Sequence, residues 1–176
     1  MKPVDVLGLN LETGSGAPLV VLREQDAPHR VLPIFIGGRE AVAIALALSG
    51  QSPPRPLTHD LLAALIDGLD ARVDHVEVTE VRDGTFLAEL AVAGPRGGVN
   101  LDSRPSDAIA LALRVDAPVY ASEAVLDEAG ALVPIETDDE TINEDVDRFR
   151  AFLDDVEPSD FDQRQGPDQP PDQADT

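Results

Sequence analysis

The 176-residue sequence contains no cysteine and no tryptophan, and its aromatic side chains amount to five phenylalanines and one tyrosine. The missing cysteines exclude a disulfide framework, a thiolate zinc site and a cysteine nucleophile. A core must therefore come from Val, Leu, Ile and Ala, within a hydrophobic fraction of 43%. The longest apolar stretch, residues 41–48, is far too short to span a bilayer. The opening MKPVDVLGLNLE has no apolar run followed by a small-residue cleavage site, so no signal peptide, no membrane partner and a cytoplasmic location are expected. Several motifs are missing too: a phosphate-binding loop, a dinucleotide glycine fingerprint, a serine-nucleophile elbow and a histidine pair at metal-ligand spacing.

Positive charge is also scarce. The net charge is −21, and Lys2 is the one lysine among 13 basic residues. Residues 1–136 hold 20 acidic against 10 basic residues, a net of −10, while residues 137–176 hold 14 against 3, a net of −11. Such a field repels polyphosphates at long range, so charge alone argues against a nucleic-acid partner.

What is present reads as an α+β domain over residues 1–136. Val4, Val6, Leu7, Leu9 and Leu11 mark a first strand, residues 19–22 a second and 31–36 a third, together an antiparallel meander. Gly37-Gly38 opens an Ala-rich helix with Ala41, Ile44, Ala45 and Leu48 at helical spacing. That face is too apolar to leave wet and predicts a homodimer through this helix or the meander. After a proline-rich connector at 52–56, a second helix starts at Thr58 as N-cap, with Leu61, Leu62, Leu65, Ile66 and Leu69 as its expected buried face. Asp83-Gly84 signals a hairpin between strands near 73–82 and 85–93, and a short strand follows at 99–101. A helix over residues 105–114 is apolar nearly all round, hence buried. Residues 119–120 then suggest a strand, and Ser122 caps a short helix. Residues 137–162 form an acidic segment with a capping box at 141–144 and an amphipathic helix bearing Ile142, Val146, Phe149, Leu153 and Val156. Residues 163–176 lack any large apolar residue and are expected to be disordered.

Three clusters can carry chemistry. His59 opens a helix between Thr58 and Asp60, soon after Arg55, and can act as a general base near neutral pH or be no more than an exposed residue. The run Asp102-Ser103-Arg104-Pro105-Ser106-Asp107 leads into the buried helix. A helix N-terminus there can hold a phosphate, with Arg104 as a clamp, or Asp102 and Asp107 can hold a hard cation. Equally, these residues can merely cap the helix and pair among themselves. Glu40, early in the Ala-rich helix, is either a pocket-edge carboxylate or a partner of the helix dipole.

Together the clusters resemble the bifunctional nuclease domain family, in its actinobacterial type. The likeness rests on Leu32-Pro33-Ile34-Phe35-Ile36-Gly37 with Glu40-Ala41, on Pro54-Arg55-Pro56-Leu57-Thr58-His59-Asp60-Leu61, on Arg104-Pro105-Ser106-Asp107-Ala108-Ile109-Ala110-Leu111-Ala112, and on Pro118-Val119-Tyr120. It covers roughly residues 3 to 135, and it is the order and spacing of the segments, not any one motif, that make it specific. It implies a wedge-like fold of antiparallel sheets with flanking helices, a homodimer, and cleavage of both RNA and DNA. The leading expectation is a metal-assisted nuclease. His59, Asp107 and Arg104 are its expected catalytic residues, and Arg55, Thr58 and Ser106 its substrate contacts. Asp107, Asp60 and Glu40 are the expected holders of Mg²⁺ or Mn²⁺. The alternative is a non-catalytic module that binds a protein or an anion through the same clefts.

Overall fold

A short strand near the C-terminal end of the domain joins its two halves. The computed structural model describes residues 1–51 and 53–132; the domain boundary at 136 and the segments 137–162 and 163–176 lie outside the described residues. The N-terminal meander is β1 (Lys2–Leu11), β2 (Pro18–Glu24) and β3 (Val31–Phe35). A second meander is β4 (Arg72–Arg82), β5 (Thr85–Gly94) and β6 (Gly97–Ser103). Between them lies β7 (Val119–Ala121), antiparallel to β1 and parallel to β4. The result is one seven-stranded sheet in the order β3-β2-β1-β7-β4-β5-β6. The expected antiparallel sheets are thus a single continuous one, with the β4–β7 pair parallel.

Register explains which residues form the core. Val4 pairs with Glu24, Val6 with Leu22, Leu22 with Leu32, Val4 with Val119 and Val76 with Val119, so these residues share one face. In β1 the register shifts between Val6 and Gly8, a bulge that lets Val4 and Val6 and then Leu9 and Leu11 point the same way. The Asp83-Gly84 turn has positive φ at both residues (51° and 75°), as a two-residue hairpin of this hand requires.

The described helices pack against this sheet. Helix α3 (Pro105–Val115) buries Ala108, Ile109, Ala110, Leu111 and Ala112, as its all-round apolar sequence predicts. Helix α1 (Gly38–Leu48) buries Ala41, Ala43 and Ile44 against α3, β1 and β2. Much of its Ala-rich face is therefore covered within the chain, while Leu48 at its end is 42% exposed. Helix α4 (Glu123–Ala129) is capped by the Ser122 hydroxyl, which accepts from Val125 N–H at 3.1 Å.

Helix α2 (Thr58–Gly68) departs from expectation in two ways. Leu57 holds the N-cap position, and it is the Asp60 carboxylate, not Thr58, that satisfies its backbone N–H at 2.7 Å. No residue of α2 is buried; Leu61 and, just beyond the helix, Leu69 are each 63% exposed. Spacing correctly shows one apolar face, but α2 turns much of that face outward and touches α3 with the rest.

Among the described residues one charge is fully buried. Glu24 continues the inward row of β2 and has 0% exposure. Arg30 donates to it from Nε at 2.8 Å and Nη2 at 3.0 Å, and also pairs with Glu123 and Asp127 of α4. The Arg30 hydrogen bonds hold the Glu24 carboxyl below its ordinary 4.5, against the opposing effect of burial. Because the folded-state value is depressed, the pair's stabilisation is complete above about pH 4.5 and is lost as pH falls below it. Glu24→Ala, which leaves Arg30 beside a vacated buried position, should cost about 3 kcal/mol in urea unfolding at pH 7. The gap between wild type and variant should narrow below pH 4.5; a gap that stays constant to pH 3 would contradict this account.

Candidate active site

The sequence clusters around residues 40, 59 and 104 meet at the N-terminal end of α3. Pro105 occupies the first turn, where its missing N–H costs nothing, and places Arg104 just outside the helix. From there the Arg104 guanidinium reaches Asp107 Oδ2 from Nε at 2.7 Å and Glu40 Oε1 from Nη2 at 2.8 Å. Gly37 makes room for the second contact, because a Cβ there would collide with the Glu40 carboxylate. On its other oxygen, Asp107 Oδ1 lies 3.2 Å from His59 Nε2 at the start of α2. The four side chains form a line, Glu40–Arg104–Asp107–His59, across three helices.

Charge compensation governs the line. Partial burial pushes the Asp107 carboxyl up, but the Arg104 and His59 hydrogen bonds and charges outweigh it and hold the group below its usual value. Arg104 is raised correspondingly, chiefly by its hydrogen bond to Asp107. The His59 ring makes no hydrogen bond through Nδ1 among the described residues, so that nitrogen is free for another group.

Asp60, expected beside Asp107, belongs to a different contact. Its Oδ1 accepts from Arg114 Nε at 2.6 Å, and this bond, with the Leu57 N–H, holds its carboxyl below the usual range. Arg114 also donates to the carbonyls of Ala43 and Ala110, tying α2 to α1 and α3. Sequence reasoning missed Arg114, as it missed Arg30. Each looks like an ordinary surface arginine, and its acidic partner lies far away in the chain or in a separate element.

The other expected residues divide. Ser106 lies next to Arg104 and is only 7% exposed, with no hydrogen bond from its hydroxyl among the described residues. Arg55 is exposed in the connector, without an ion pair among the described residues, and Thr58 is exposed at the first turn of α2. Asp102 sits on β6 opposite Glu89, away from the line. Among the described residues no three His, Asp or Glu side chains are grouped to hold a metal ion as they stand. Glu40 and Asp107 do converge, but on the Arg104 guanidinium.

A model of the bifunctional nuclease domain matches residues 20–134, well over half of the chain. The chain belongs to the bifunctional nuclease domain family. An uncharacterized protein of Mycobacterium tuberculosis is 44% identical over 165 residues, covering 92% of this chain and 98% of that protein. Bifunctional nuclease 2 of rice and bifunctional nuclease 1 of Arabidopsis thaliana are each 28% identical, over 64% and 60% of this chain. The chain spans only about a third of those two plant proteins, 35% and 34%. The residues of the line all fall inside the matched domain, at the segments that carry the family resemblance. No helix among the described residues of this family member is long and apolar enough to cross a membrane.

Arg114 makes a testable structural claim for the domain. Arg114→Met should destabilise the chain by about 2 kcal/mol, because it leaves the half-buried Asp60 without its counter-charge. Asp60→Asn combined with it should recover part of that loss. Additive losses in urea unfolding would mean that the two residues do not interact.

Proposed function

We propose that the chain hydrolyses phosphodiester bonds of RNA and DNA at the Glu40–Arg104–Asp107–His59 line. The observation that carries this reading is the His59–Asp107 pair, brought together from 48 positions apart with an arginine on the same carboxylate. A carboxylate on Nε2 favours the tautomer with its proton there, leaving Nδ1 as the basic nitrogen. In the proposed reaction a water oxygen attacks phosphorus and its proton passes to His59 Nδ1. The bond to the leaving oxygen breaks, and that oxygen takes up a proton. Arg104, freed from one of its carboxylates, stabilises charge on the non-bridging oxygens. Cleavage of DNA needs an external nucleophile because no 2′-hydroxyl is present, and water oriented by a base fits both substrates.

A divalent ion, Mg²⁺ or Mn²⁺, is part of the proposal. Two carboxylates converging on one guanidinium are chemically suited to hold it: Glu40 and Asp107, in the position Arg104 now neutralises. Asp60, held by Arg114, does not join them. The ion would supply polarisation of a phosphoryl oxygen.

The plant relatives' name, bifunctional nuclease, supports the reaction class. A second reading, a non-catalytic protein- or anion-binding module, has its own support. Every carboxylate of the line is already paired, and α2 carries an exposed leucine stripe suited to a protein partner. The stripe is also where we place a homodimer contact.

Wild type, His59→Ala, Asp107→Asn and Arg104→Ala should be compared on single-stranded RNA and DNA with Mg²⁺, Mn²⁺ or EDTA. Expected losses are a hundredfold or more for His59→Ala and Asp107→Asn, and about ten- to a thousandfold for Arg104→Ala. Undiminished cleavage by all variants would expose a contaminant, and full activity in EDTA would remove the metal. For the contact between copies, Leu61→Asp with Leu65→Asp should convert a dimer to a monomer by light scattering. A wild type that is monomeric at micromolar concentration rejects that contact.

A further inference from the structure

Beside Arg104 runs a groove of about 420 Å³ whose walls come from the end of β3, the loop into α1, the β4–β5 hairpin and the first turn of α3. Two features set it apart. The described residues contain just two phenylalanines, Phe35 and Phe86, and both line this groove. Phe35 is 59% exposed although it closes a strand of the core, which is costly for a ring with no partner to cover it. Ser106, a residue more than nine-tenths buried, also lines the groove, and its hydroxyl has no hydrogen-bond partner among the described residues. That hydroxyl is open to the groove, on the first turn of an eleven-residue helix, where backbone N–H groups and the helix dipole favour an anion.

An anion-seeking helix turn with a basic residue, in one groove with two aromatic rings, matches the phosphate and the base of a nucleotide. We propose that this groove is a subsite for one unpaired nucleotide, its base against Phe35 and Phe86 and its phosphate at Ser106 and Arg104. The proposal rests on the phosphodiesterase reading and narrows it, because a base can enter the slot only when it is out of a duplex. It also answers the problem of charge. A surface of net charge −21 gives no long-range attraction for a polyanion, so affinity has to come from short-range contacts. Stacking is such a contact, is indifferent to base identity, and is largely insensitive to the field of the whole protein. RNA and DNA offer the same π-face, so one slot serves both.

The experiment measures binding by fluorescence anisotropy in EDTA, with probe length checked on a gel afterwards, and repeats it with Ca²⁺. Three probes of equal phosphate count are used: a single-stranded octanucleotide, the same backbone without bases, and a duplex. The single strand should bind about tenfold or more tighter than the abasic strand and the duplex. Phe35→Ala, at a position exposed enough to leave the melting temperature unchanged, should erase that preference while the abasic strand binds as before. Ser106→Ala should weaken the abasic strand as well. Equal affinity of wild type for base-bearing and abasic strands, with cleavage intact, overturns the subsite and leaves the phosphodiesterase reading standing. So does a preference that survives Phe35→Ala and Phe86→Leu alike. No binding to any probe under either condition, together with no cleavage, overturns both.

Discussion

The need to cover α3 on all sides organises this domain. A helix made of Ala, Ile and Leu around its whole circumference cannot lie on a surface. The sheet covers it through β4 and β5, α1 and α2 flank it, and its polar ends alone are left for water or ligand. Burying the body of the helix therefore places its N-terminal turn where three elements meet, and the residues available for chemistry are those the turn and its neighbours bring there. Arg104, Ser106 and Asp107 are close together because they share that turn. Glu40 and His59 join them because α1 and α2 both pack against α3.

Within that arrangement, three arginines each bridge separate elements of the chain through carboxylates. Arg30 neutralises a carboxylate that the sheet buries, and Arg114 fastens α2 to the rest. Arg104 spans two carboxylates at the mouth of a groove. The first two are deeply covered and belong to the architecture. The third is two-thirds exposed, on a chain of net charge −21.

Much of this was legible beforehand. Alternation, the Asp83-Gly84 turn and the all-round apolar run fixed most element positions to within a few residues, because each is a local signal. Three things were not. The bulge in β1 changes the phase of its alternation, so the pattern alone does not show that Val6 and Leu9 face the same way. The leucines of α2 have the period of a buried face, and a period cannot report whether anything lies on top. The partners of Arg30 and Arg114 reach up to 97 residues away, a distance at which sequence carries no pairing signal. The site fared likewise: Glu40, His59, Arg104 and Asp107 do assemble, but Asp60, adjacent to His59 in the chain, faces another way because the helix turns about 100° per residue.

The brevity of β7 has a bearing on how the chain comes to exist. Its three residues are the seam between the halves of the sheet, and they pair Lys2 with Ala121, nearly the full length of the described chain apart. During synthesis β1, β2 and β3 emerge long before β7, so β1 lacks its neighbour on that side until residue 121 has left the ribosome. Closure entropy over such a span makes that last zippering step slow compared with forming either meander. In the interval the edge is open to strands of other nascent chains.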